Sequence, residues 1–480
     1  MNVEIGREVL QAAALVLSLL ASLLASGHAL LGKRDPRSAA AWITLCLLFP
    51  IVGVLLYLAL GNNRIRTRAR QLHERPEDTR TRTPVVISRE DAERAIAPEY
   101  RNLAFLGRAV SENELSTGNC VEPLFNGEQA YPAMLAAIGR ARRSVYLATY
   151  IFETRGIGRE FIEALEKARE RGVEVRVLLD GFGEFYSLPR AGSVLRRTGI
   201  EVARFLPPRL LPPNFFLNLR NHRKILLIDG EEAYTGGMNL RTKHMADASG
   251  PARVIDIHFR VRGPVVEQVA DVFRADWRFC TGDSLPRVTA PVCPNTEQSA
   301  ECRVIVDGPD EDLDKMMWVL VGAISLARSS IKIMTPYFIP PRELTVALQT
   351  AALRGVEVSL ILPARNNFRF MTWAAMHGMG HLLKTGVKVH FFEGPFVHSK
   401  LFLVDDYYAQ IGSSNLDPRS LRLNFEMAVE VYDHAFGRRL AEHFDASLSA
   451  SRPLEMEEWR NRSLPRRLRD AGFWLFSPYL

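Results

Sequence analysis

His222-Arg223-Lys224 is followed by four residues and Asp229, then six residues and Gly236-Gly237-Met238-Asn239. The same formula returns as His398-Ser399-Lys400, Asp405 and Gly412-Ser413-Ser414-Asn415. One His-x-Lys is a weak signal, but two copies with identical long spacing are a strong one. Residues two apart on a strand face the same way, so each histidine shares a face with its lysine. Asp229-Gly230 and Asp405-Asp406 read as turns, and the glycines leave room for backbone to approach closely. Brought together, the copies offer two imidazoles, two ammonium groups and two amides around one point. Such donors suit the oxygens of a single phosphodiester. A pair of merely structural histidines would leave the doubled lysines and asparagines unexplained.

Working outward, the duplication extends over much of the chain. Ala137 to Ser144 matches Ala323 to Ser330. Arg171-Gly172-Val173-Glu174-Val175 recurs unchanged as Arg354-Gly355-Val356-Glu357-Val358, and Thr198-Gly199-Ile200 resembles Thr385-Gly386-Val387. In each half, charged amphipathic stretches alternate with short β-branched runs: Ser144 to Phe152, Gly158 to Arg171 and Val173 to Leu179, then Ile331 to Tyr337, Leu344 to Ala352 and Val356 to Ile361. This alternation predicts α/β layers with mixed, largely parallel sheets flanked by helices, in two pseudo-symmetric domains. The expected boundaries are 125–290 and 291–453, with the halves joined near Cys280 to Glu301.

The paired motif resembles that of the phospholipase D superfamily over about Phe125 to Tyr432. Within it, the chain is similar to the bacterial cardiolipin synthases. Asp35-Pro36-Arg37-Ser38, Phe49-Pro50-Ile51-Val52-Gly53, Arg262-Gly263-Pro264, Asn415-Leu416-Asp417-Pro418-Arg419-Ser420 and Asn424-Phe425-Glu426 carry that likeness. The resemblance implies phosphatidyl transfer between two phosphatidylglycerols, with glycerol released through a phosphohistidine. It makes His222 the nucleophile and His398 the proton carrier, with Lys224, Lys400, Asn239 and Asn415 holding phosphate oxygens. Asp229 and Asp405 belong to the motif, and family precedent gives them structural contacts more than chemistry. A downstream acidic residue orients each histidine in the family. Glu426, 28 residues after His398, and Asp256, 34 after His222, are the candidates, each in the half of the histidine it follows. No metal or cofactor is called for. His377 and His381, four apart, read as packing beside Met371, Met376 and Met379.

At the amino end, Val9 to Leu31 and Ala39 to Leu60 carry no formal charge over 23 and 22 residues. Each is long enough for a helix to span hydrocarbon, so residues 1–62 read as a transmembrane hairpin. Arg64, Arg66, Arg68 and Arg70 against Lys33, Arg34 and Arg37 weakly favour a cytoplasmic body. The expectation is a bacterial inner-membrane protein with two spans. Residues 63–124 read as a tether leading into the body, with a short helix from Glu90 to Ala97. The tail, 454–480, is basic and aromatic: Arg466, Arg467 and Arg469 precede Phe473, Trp474 and Phe476. It reads either as an interfacial anchor or as a segment packed on the body.

The 480 residues are 47% hydrophobic with a net charge of +7, which excludes disorder and fits an anionic partner. Phosphatidylglycerol and anionic membrane lipid are the expected partners. Nucleic acid is not expected, for want of a dense basic stripe. Five cysteines, none in a CxxC pair, are too few and too scattered for a disulfide scaffold, and Cys280, Cys293 and Cys302 read as free thiols near the domain junction. A hydrolytic phospholipase D, a phosphatidylserine synthase, a membrane-tethered nuclease and an inactive scaffold are the alternatives. Sequence leaves the acceptor alcohol and the oligomeric state open.

Overall fold

The protein is described from a computed structural model covering residues 2–33, 36–61, 96–208, 219–245, 253–293, 299–309 and 312–477. It divides into two compact units, Met1–Glu74 and Arg75–Leu480.

In the first unit, the helix Asn2–Gly32 contains the apolar stretch Val9–Gly32, with mean hydropathy 2.1. It is the one helix among the described residues long and apolar enough to cross a membrane. The expected second span is therefore corrected. A helix Pro36–Leu48 stops at Phe49-Pro50-Ile51, a short helix Val52–Leu56 follows, and a wider turn runs over Tyr57–Gly61. Pro50 supplies the reason: it has no N–H to continue the helical ladder, and its ring crowds the preceding turn. The broken arm still folds back along the first helix. Ser22 donates to the Cys46 carbonyl at 2.7 Å, His28 Nδ1 meets the Tyr57 hydroxyl at 2.6 Å, and Lys33 Nζ donates to the Gly61 carbonyl at 2.6 Å. A localisation built on two spans with a cytoplasmic body thus loses its basis. The Arg64 to Arg70 cluster and most of the expected tether, including Glu90 to Arg94, lie outside the described residues.

The second unit is built on one continuous sheet. Its first-half strands are β1 (Ser116–Phe125), β2 (Ser144–Thr149), β3 (Glu174–Asp180), β4 (Glu201–Phe205), β5 (Arg220–Asn221), β6 (Ile225–Ile228), β7 (Glu232–Gly236), β8 (Val254–Ile255) and β9 (Ile257–Arg262). The second half supplies β10 (Ala300–Asp307), β11 (Ser330–Met334), β12 (Glu357–Pro363), β13 (Lys388–Phe392), β14 (Phe396–Val397), β15 (Leu401–Val404), β16 (Tyr408–Gly412), β17 (Asn424–Tyr432) and β18 (Ser451–Pro453). The order is β18-β13-β12-β11-β15-β16-β17-β10-β1-β9-β7-β6-β2-β3-β4. Read outward from the β10–β1 seam, both halves run through the same sequence of strands, and only β18 is extra. Within each half the outer strands (β2, β3, β4 and β11, β12, β13) are parallel and the inner ones antiparallel. The lead-in segment joins the body at Ile96, and β1 is a central strand of the sheet.

The repeated sequence blocks are the contacts that turn the chain. The helix Ile157–Glu170 buries Ile157, Phe161, Ile162, Leu165 and Ala168, a helical stripe against the sheet. Gly172 ends it at φ +86°, which an L side chain resists, and Val173 N–H returns to the Ala168 carbonyl at 3.1 Å. In the second half Gly355 sits at φ +92°, and Val356 N–H bonds the Ala351 carbonyl at 3.1 Å. Arg171 reaches the Ile138 carbonyl at 2.9 Å, and Arg354 reaches that of Ile324 at 3.0 Å. Each half has its own apolar core, around Phe161, Leu165 and Leu179 in the first and Leu320, Leu344 and Leu360 in the second.

One cysteine expectation is corrected. Cys120 on β1 and Cys293 in the segment between the halves form a disulfide, while Cys46 and Cys302 are free. They are 173 residues apart, and β1 brings the segment alongside: Cys293 N–H donates to the Gly118 carbonyl at 2.8 Å.

Candidate active site

Each His-x-Lys follows a two-residue strand that leaves its own half. β5 pairs in parallel with the start of β17, Arg220 opposite Asn424 and Asn221 opposite Phe425. β14 does the same with β8, Phe396 opposite Val254 and Val397 opposite Ile255. The pairing carries into the motif itself. His222 N–H donates to the Phe425 carbonyl at 2.9 Å, and His398 N–H donates to that of Ile255 at 2.8 Å. The next residues along these partner strands are Glu426 and Asp256.

The carboxylates are consequently exchanged between halves. His222 Nδ1 lies 3.0 and 3.2 Å from the two Glu426 oxygens, and His398 Nδ1 lies 2.7 Å from Asp256 Oδ2. This corrects the expectation that each histidine uses the carboxylate of its own half. The two carboxylates are buried and held in turn. Glu426 accepts from Ser413 Oγ and from Asn424 Nδ2 at 3.0 Å, and Asp256 accepts from Ile257 N–H at 2.9 Å.

Both histidines open on one cavity of about 1100 Å³, whose walls come from both halves. Lys224 and Lys400 lie buried beneath, each donating to the carbonyl of the histidine two residues before it at 2.5 Å. Lys400 Nζ also lies 3.0 Å from His398 Nδ1. Asn239 and Asn415 line the cavity. Asn239 Oδ1 accepts from Ile151 N–H at 3.1 Å; Asn415 Nδ2 donates to Ser420 Oγ at 3.2 Å, and its Oδ1 is buried without a hydrogen bond.

Asp229 and Asp405 are not brought to this cavity. Asp229 accepts from the N–H groups of Arg142, Arg143 and Ser144, at 3.0, 2.7 and 2.9 Å, where β2 begins. Asp405 accepts from Arg328, Ser329 and Ser330 at 2.9, 2.7 and 2.8 Å, and from the Tyr100 hydroxyl at 2.6 Å. Both sit at positive φ, 53° and 51°, in tight turns. They clamp the strand start that the Ala137 and Ala323 blocks repeat.

The electrostatics describe a site built for an anion. Burial, aided by repulsion from Lys400, drives Lys224 down to about 7, and burial drives Lys400 to about 8 against the pull of Asp256 and Glu426. Burial lowers both histidines, and Lys400 and Lys224 push His398 further, well below its ordinary value. Burial works to raise Glu426, but His222, Lys224 and Ser413 outweigh it and hold the carboxyl below the usual range. Asp256 is pushed up by burial against the pull of Lys400 and His244. A bound phosphodiester would reverse the repulsion among the cations and restore their protons.

Several cavity residues were not singled out from sequence. His244, buried, has its ring 6.0 Å from that of His398 and is driven down to about 3 by burial. Tyr150 meets the edge of His222 at 5.4 Å. Arg220, Asp417 and Arg419 also line the cavity. A signal existed for two of them. His244 follows Asn239 by five residues as Ser420 follows Asn415, and Arg220 precedes His222 by two, sharing its face on a strand. His377 stacks on Trp474 at 4.7 Å.

A family profile described as "Cardiolipin synthase, PLD-like domain" matches residues 134–277 and 320–448, and one described as "Phospholipase_D-nuclease N-terminal" matches 17–62. The chain belongs to the cardiolipin synthase family of phospholipase D-like proteins. The major cardiolipin synthase ClsA of Bacillus subtilis is 30% identical over 467 residues, covering 93% of this chain and 95% of that protein. Cardiolipin synthase A of Cronobacter sakazakii is 33% identical over 473 residues, covering 94% of each. Among solved structures, a phosphatidylserine synthase from Haemophilus influenzae Rd KW20 shares the fold, with TM-score 0.56, 15% identity, and coverage of 75% of this chain and 95% of that one. The cardiolipin synthase relatives therefore run through both halves.

Proposed function

We propose that the protein is a phosphatidyltransferase that joins two phosphatidylglycerols into cardiolipin and releases glycerol. The observation that carries this reading is the meeting of two histidines at one cavity, each beside its buried lysine and on a buried carboxylate of the other half. The cardiolipin synthase relatives supply the substrate class.

In the proposed reaction, His222 Nε2 attacks the phosphorus of the first lipid, and the bond to the glycerol oxygen breaks. Glu426 accepts a hydrogen bond from Nδ1–H, which fixes the tautomer and supports the charge that develops on the ring. His398, held by Asp256, gives its proton to the leaving oxygen. The phosphatidyl group is then on His222. His398, now neutral, takes the proton from a headgroup hydroxyl of the second lipid. That oxygen attacks phosphorus, the P–N bond breaks, and cardiolipin leaves. Lys224, Lys400 and Asn415 stabilise the equatorial oxygens, where their preorganised donors act at low dielectric. Two inversions at phosphorus give retention.

The test is incubation of the full-length protein with phosphatidylglycerol alone and mass identification of products. Cardiolipin with glycerol supports the reading. Phosphatidic acid with glycerol makes the protein a hydrolase.

A further inference from the structure

Exposed aromatic side chains of the body stand at the cavity. Tyr186 on one wall and Phe368 on the other both line it and are both exposed. Beside Tyr186 stand Phe185 and Leu188, the latter 76% exposed. Phe185 and Phe368 are separated by the same offset as Arg171 and Arg354, and both rings are exposed. Arginine accompanies them: Arg190 lies over Phe185 at 4.2 Å, and Arg365 lines the cavity.

The carboxyl tail extends this surface. Its helix Leu464–Trp474 packs on the helix Arg369–Leu383 that follows Phe368. Phe473 faces inward, 5.0 Å from Trp373 and 6.3 Å from Phe370, itself a cavity residue. Buried Asp470 ties the helix down through Arg462 at 2.6 Å. Among the described residues the opposite face has no such partner. Leu464, Leu468, Ala471 and Leu475 fall at i, i+4, i+7 and i+11, one stripe, and Leu468 and Leu475 are 63% and 70% exposed. Phe476 is exposed just beyond. Arg467 and Arg469 lie on the two flanks of the stripe and are exposed.

We propose that the cavity rim and the outer stripe of the tail helix form one docking surface for an anionic bilayer, lowering the cavity mouth onto the lipids the enzyme consumes. It rests on the reading of the substrate as a bilayer lipid. An apolar stripe between arginines fits the acyl–headgroup boundary, with rings and leucines among the chains and guanidinium groups at the phosphates. A second copy of the chain would set like charges against each other. Inward packing through Phe473 and outward exposure of Leu468 and Leu475 are thus two faces of the same helix.

The test uses the full-length chain in nanodiscs, with either long-chain phosphatidylglycerol in the disc or dihexanoyl phosphatidylglycerol added as monomers to phosphatidylcholine discs. Leu468→Glu with Leu475→Glu should lower cardiolipin formation from the disc lipid at least tenfold and leave turnover of the monomeric lipid within twofold. Leu188→Glu, beside the opposite wall and outside the cavity lining, should behave alike and guards against a folding defect confined to the tail. Equal losses on both substrates, or none on either, overturn the proposal. Loss of a dimer with both rates intact would place a second copy there instead. Wild-type protein that converts neither substrate defeats the phosphatidyltransferase reading, and the docking surface falls with it.

Discussion

At equivalent places in the sheet, the two halves carry opposite charges in opposite surroundings. Glu430 on β17 is fully buried and holds Arg303 of β10 at 2.7 Å, while the Tyr408 hydroxyl donates to it at 2.9 Å. Its counterpart on β9 is Arg260, facing Tyr234 as Glu430 faces Gln410, and it pairs half-exposed with Glu232 at 2.7 Å. Next along the strand, the first half has buried His258 opposite Gly236, where the second has Ala428 opposite Gly412. The contacts that turn the chain, by contrast, are the same in both: Asp229 and Asp405, Gly172 and Gly355, Arg171 and Arg354. The duplication has therefore kept its turns and its His-x-Lys strands, while the interior was free to diverge wherever a pair could be satisfied locally. The histidine carboxylates obey neither rule, because each serves the other half.

The largest expected effect breaks the symmetry of the site outright. His222→Ala and His398→Ala should each lower cardiolipin formation by roughly 10³-fold or more, as removal of a nucleophile or a proton carrier does. Initial rates on phosphatidylglycerol check this. A variant that keeps a tenth of wild-type activity would mean that one half suffices.

Next comes the interior pair. Glu430→Gln leaves Arg303 buried without its counter-ion and should cost about 3–5 kcal/mol of stability, whereas Arg260→Gln, half in water, should cost under about 1 kcal/mol. Denaturant unfolding of the two variants side by side measures the contrast. Comparable losses would show that burial does not set the difference between the halves.

A smaller effect follows from His258, whose Nδ1 is buried without a hydrogen bond and which burial drives down to about 4. As pH falls below 6.5 the unfolded chain takes up the proton first. The stability held above that pH is lost as pH drops toward 4, on the order of 2 kcal/mol by pH 5. In His258→Ala, which copies the second half, that share of the acid loss should vanish. Urea midpoints at pH 7 and pH 5 check it, and an unchanged pH slope would remove His258 as the cause.

Much of this was legible in the sequence because the chain states it twice. The His-x-Lys pairs, their asparagines, the turn aspartates and the alternation of helix and strand were each supported by a second copy at fixed spacing. What could not be read was anything that depends on which strands meet. Glu426 lies 204 residues from His222, and Asp256 lies 142 from His398, and only the β5–β17 and β14–β8 pairings bring them together. Counting forward from each histidine reaches the two carboxylates that lie against the histidines and pairs each with the other histidine. Cys120 and Cys293 escaped for the same reason. The second apolar segment misled differently: its composition suits a span, and the single ring of Pro50 ends the helix.

The exchanged carboxylates are the centre of the account, and a phosphatidyl ester of p-nitrophenol tests them most directly. This leaving group departs without a proton, so the burst of nitrophenolate reports attack by the nucleophilic histidine alone. Rapid quenching of the full-length protein and peptide mapping then locate the phosphatidyl group. The account predicts the label on His222, a burst slowed roughly 10²-fold by Glu426→Gln, and a burst left within threefold by Asp256→Asn. A label on His222 with the burst slowed by Asp256→Asn and spared by Glu426→Gln would contradict it.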